Sequence, residues 1–71
     1  ERKEVGELLF EEANKYRRLG KYERALMVLE ENRSDIEYAL GRSIANEIFE
    51  VGVLTMEEKA YKVYKLFSPL L

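Results

Sequence analysis

The chain has no cysteine, no histidine and no tryptophan, a single proline (Pro69) and four glycines in 71 residues. Without cysteine there are no disulfides, and without cysteine or histidine the usual structural and catalytic zinc sites have no ligands. The same absences remove the thiol nucleophile and the imidazole base that activates a serine. No run approaches the roughly 20 apolar residues needed to cross a bilayer, and Glu1-Arg2-Lys3-Glu4 does not read as a signal-peptide start. A cytoplasmic location with no membrane partner is expected. The net charge of −2 supplies no global positive field to recruit nucleic acid or anionic lipid.

What is present is 46% hydrophobic and 37% charged residues, with Glu, Lys and Arg abundant and Asp35 the lone aspartate. That composition excludes disorder and gives one small domain over residues 1–71. Such a domain buries only about 60–65% of the surface its unfolded chain exposes, so packing, surface ion pairs or self-association must reinforce it. A Glu/Lys/Arg-rich surface free of glutamine is also the pattern of heat-stable, hyperthermophile-like proteins.

Apolar residues recur at helical rather than strand spacing, which predicts an all-α compact antiparallel bundle of four helices over about 2–19, 22–31, 35–51 and 56–67. The first carries Val5, Leu8, Leu9, Ala13, Tyr16 and Leu19 and stops at Gly20, which accepts a left-handed end. The second carries Tyr22, Ala25, Leu26 and Leu29. Ser34 and Glu37 fit a capping box that opens the third, whose stripe is Ile36, Leu40, Ile44, Ile48 and Val51. Gly41 falls inside that helix, which points to close approach of a neighbour. Thr55 and Glu58 form a second box, and the fourth helix places Met56, Ala60, Val63, Tyr64 and Phe67 inward until Ser68-Pro69 ends it. The junction at Asn32 to Ser34 has neither Gly nor Pro, so fusion of the second and third helices into a three-helix protein is the alternative.

Residues 9–29 resemble one tetratricopeptide repeat: Leu9, Ala13 and Tyr16 on the first helix, Gly20 and Tyr22 at the turn, Ala25 and Leu29 on the second. Glu12, Asn32 and Glu37 depart from that pattern, and one helix pair is no solenoid. An antiparallel hairpin of any ancestry also wants Gly at its turn and small residues at the crossing. The Gly20-Lys21-Tyr22-Glu23-Arg24-Ala25 turn is also similar to that of the three-helix microtubule-interacting and transport domain. Both resemblances imply binding of peptides or helices.

The candidate site is the stretch Lys15 to Arg24, with five cations and one acid interleaved with tyrosines. Cations at a helical turn can hold a carboxylate or phosphate, Arg doing so bidentately. They also complement the C-terminal dipole of the first helix. The repeat resemblance implies that Phe10, Asn14 and Arg17 line a ligand face, and Arg18, Lys21 and Arg24 complete the candidate partner-binding set. Lys59, Lys62 and Lys65 suggest a basic helix, but Glu57 and Glu58 occupy the end that would enter a DNA groove, and a solvated face is the simpler reading. Adjacent glutamates point about 100° apart and form no catalytic dyad. The expectation is a protein-interaction module with no catalytic, metal or cofactor site. Its expected partner is a protein or peptide of anionic character, or a second copy as a homodimer; nucleic acid is not the expected partner, and nucleic-acid association through Lys15–Arg24 is the alternative function.

Overall fold

The computed structural model describes residues 1–68; Pro69, expected to end the last helix, lies outside them. Five helices follow in order: α1 Arg2–Arg18, α2 Tyr22–Glu31, α3 Arg33–Leu40, α4 Ala45–Gly52 and α5 Met56–Phe67. Among the described residues there is no strand, and no helix is long and apolar enough to cross a membrane. The radius of gyration is 11.1 Å, the value of about 11 Å that a closely packed domain of this length has.

α1 and α2 form a hairpin. Gly20 takes φ +77°, its amide donates to the Arg17 carbonyl at 3.0 Å, and the Lys21 amide donates to the Tyr16 carbonyl at 2.9 Å. This pair of bonds is a Schellman ending, which satisfies carbonyls that the helix end leaves free. Ala13 and Ala25, both fully buried, let the two helices approach.

Asn32 alone separates α2 from α3. Its amide and its side-chain Nδ2 both donate to the Val28 carbonyl, each at 3.1 Å, and its carbonyl accepts from Ile36 at 3.0 Å. The two helices are therefore consecutive but not fused. The Ser34–Glu37 capping box does not form, because both side chains are engaged elsewhere: the Ser34 hydroxyl accepts from Arg2 at 2.8 Å, and Glu37 reaches forward to α4.

The third predicted helix, 35–51, is two helices, which makes five in place of four. Gly41 closes α3 in the left-handed conformation, φ +72°, and a Cβ there would meet nothing within 4 Å. It is a helix stop, and the close approach expected at Gly41 occurs instead at Gly6 of α1. A Cβ on Gly6 would stand 2.6 Å from the Ala39 Cβ and still closer to the Asp35 carbonyl oxygen, so α1 and α3 touch through bare backbone.

The corner between α3 and α4 is held by one carboxylate. Glu37 Oε2 accepts from the Ile44 amide at 2.6 Å, the Ala45 amide at 3.1 Å and the Ser43 hydroxyl at 3.1 Å. Those amides are otherwise unpaired at a helix start, and a negative charge there also suits the helix dipole. α5 begins at the expected capping box. Thr55 Oγ1 accepts from the Glu58 amide at 3.4 Å, and Glu58 Oε1 accepts from Thr55 Oγ1 at 2.8 Å and its amide at 3.3 Å.

One core serves all five helices, built from Phe10, Leu29, Ile36, Ile44, Val51, Val63 and Phe67, with Ala13, Ala25, Leu26, Ile48 and Leu66 between them. The Phe10 and Phe67 rings meet at 4.6 Å with a tilt of 38°, within the offset range that aromatic pairs prefer. Several residues expected to point inward do not: Val5, Leu8, Leu19, Met56 and Tyr64 are exposed. The buried face of α1 runs through Gly6, Phe10 and Ala13 instead.

Candidate interaction surface

The basic residues lie around the end of α1 and the start of α2. Lys15, Arg17 and Arg18 occupy the last turn of α1, and Lys21 precedes α2, whose first turn holds Arg24. α2 begins without a side-chain cap, at the positive end of its helix dipole.

The six candidate residues divide by environment. Phe10 lies in the core at 2% exposure and is not on the surface that the others share. Arg17 is half-buried and held in place: its Nε donates to Asn14 Oδ1 at 2.7 Å, and its guanidinium lies 5.5 Å from the Tyr64 ring centroid and 5.8 Å from that of Phe67. Arg24 lies 5.6 Å from the Tyr16 ring centroid. Cations over ring faces are attracted by the ring quadrupole. Arg18 and Lys21 are exposed. Arg18 shares a shallow depression on α1 with Leu8, Glu11, Glu12, Asn14 and Lys15.

Among the described residues the ion pairs are Arg2–Asp35, Arg42–Glu47 and Lys59–Glu23. None involves Lys15, Arg17, Arg18, Lys21 or Arg24, so the one dense basic cluster carries no internal counter-charge within 4.0 Å.

Two polar groupings escaped the sequence pattern. Lys59, read as part of a solvated face, is buried at 8% exposure and reaches Glu23 across the α2–α5 contact at 3.4 Å. Arg42 joins three elements: Nη1 donates to the Glu47 carboxylate at 3.0 and 3.2 Å, and Nη2 to the Leu66 carbonyl at 3.2 Å. It thus ties the α3–α4 corner to the end of α5. Both depend on long-range packing and leave no local spacing signal.

The described residues contain no cluster of three or more acidic side chains able to hold a metal. Comparison with family models, curated proteins and solved structures finds no match.

Proposed function

We propose that the chain is a non-enzymatic helical interaction module that takes an acidic protein segment on the α1–α2 turn. The observation that carries the reading is the cluster itself. Five cations of an otherwise acidic protein lie around one helical turn, with no ion-pair partner among the described residues, beside a helix start whose amides lack a side-chain cap. Such a surface attracts carboxylates both by charge and by backbone donors. Asn14 and the Tyr64 ring restrain Arg17, which lowers the entropy cost of using it. The hairpin with fully buried alanines at its crossing also supports a single tetratricopeptide-like helix pair as the scaffold, although any antiparallel pair uses the same features.

A glutamate-rich peptide carrying a fluorophore, titrated at physiological salt and followed by anisotropy, tests the reading. Reversing Arg18 and Lys21 together to glutamate is expected to weaken binding by about tenfold or more, since exposed charge contacts contribute up to about 1 kcal/mol each. Unchanged affinity overturns it. Tighter, strongly salt-dependent binding of a single-stranded RNA oligonucleotide would transfer the surface to nucleic acid.

A further inference from the structure

The opposite side of α2 carries a different surface. Phe49 on α4 and Val53, which caps its end, are 75% and 73% exposed, and Met27 on α2 is 56% exposed. Phe49 and Val53 form one wall of a groove between α2 and α4 that Glu30, Arg33, Ala45, Ile48 and Gly52 also line. It continues past Glu30, Ile48 and Gly52 to Met27. Its floor is open at Gly52, where a Cβ would meet no atom within 4 Å.

We propose that this face is a twofold interface between two copies of the chain, the Phe49–Val53 ridge of each seated in the α2–α4 groove of the other. A twofold interface uses one patch twice, so that patch must carry both a projection and a recess. Here Phe49 and Val53 project at the edge of the recess they help to line. The charges are self-complementary as well. Glu30 and Arg33 line the groove, and among the described residues neither is in an ion pair within 4.0 Å, although Arg33 lies near enough to Glu37 to affect its charge. Across a twofold axis Glu30 of one copy is set against Arg33 of the other, whereas a patch of one sign would repel its own image. A second copy also answers the need of a small domain for reinforcement where neither disulfide nor zinc is available.

α2 and α4 side by side span about 15 Å by 20 Å by helix dimensions. This places the interface at the small end of specific contacts, where association is weak. Sedimentation equilibrium from about 1 μM to about 1 mM, a range chosen to bracket such an affinity, is expected to show the mass rising from 8.4 kDa toward twice that value. F49E should weaken the dimer by about a hundredfold with helix content unchanged, because the side chain lies outside the core. G52Q fills the groove floor and replaces a helical glycine with a better helix former. Its monomer should therefore melt at or above the parent temperature while the dimer weakens by more than about tenfold. Glu30→Arg alone should weaken association, and adding Arg33→Glu should restore it. A chain that stays monomeric at the highest concentration overturns the proposal and leaves the groove to a different protein. A dimer indifferent to both F49E and G52Q overturns it equally.

Discussion

At Gly6 the backbone of α1 lies against α3 so closely that even one methyl group would collide with the Asp35 carbonyl and the Ala39 side chain. Gly6→Ala normally gains helix propensity. Here the gain is outweighed, and the variant should lose about 1–3 kcal/mol through overpacking, seen as a lower denaturant midpoint. Lys59 presents the reverse case, a charge whose worth is mostly its stem. Its side chain is 11% exposed while that of its partner Glu23 is 76% exposed, so water screens the pair and limits it to below about 1 kcal/mol. Lys59→Met keeps the buried methylenes and should change stability by less than about 1 kcal/mol, whereas Lys59→Ala should cost about 1–3 kcal/mol. If Lys59→Met proves as damaging as Lys59→Ala, the charge and not the stem is what matters.

Among the helices, the α3–α4 corner depends on titration. Hydrogen bonds from the Ile44 amide, then from Ser43 and the Ala45 amide, with Arg33 nearby, hold the Glu37 carboxyl below its ordinary value of 4.5. The Thr55 hydroxyl and amide, with Lys62 nearby, do the same for Glu58. Folded-state values below the unfolded value mean stability that is present above about pH 4.5 and is lost as pH falls through the depressed values. The melting temperature should therefore drop on acidification, and Glu37→Gln should lower it at neutral pH while shrinking the acid-induced fall. An acid slope identical in parent and variant would dissociate Glu37 from this behaviour. Gly41→Ala should cost about 1–2 kcal/mol, because a Cβ is disfavoured in the left-handed conformation. The bounds of α2 and α5 are legible in the sequence because their end signals, the Gly20 turn and the Thr55 box, are local. The α3–α4 break is not. Ile44 is fully buried although it stands at the break, so the apolar stripe from Ile36 to Val51 keeps its period through a corner where the helix does not continue. Ser34 and Glu37 have capping-box spacing, but their partners are Arg2 and α4, which no local window contains.

For the whole molecule, stability at about 0.05–0.15 kcal/mol per residue amounts to roughly 4–11 kcal/mol, and the Phe10–Phe67 contact carries a large share. Phe67→Ala, at about 3–5 kcal/mol, should leave the chain unfolded or nearly so at 37 °C by circular dichroism. That Lys15, Arg17, Arg18, Lys21 and Arg24 lie around the α1–α2 turn is legible because they are near one another in the sequence. The inward fate of Phe10 is not, since it depends on α5 folding back from the far end of the chain. The helices are also unevenly knit. α1 lies along both α2 and α3, while α4 and α5 meet the rest over much shorter stretches. Partial openings follow such seams. Amide hydrogens of α4, whose start is held by Glu37 and Arg42, should exchange with solvent well before those of α1, and Glu37→Gln should hasten them selectively. The Glu37 side chain then helps to set how often the start of α4 opens while the first three helices stay closed.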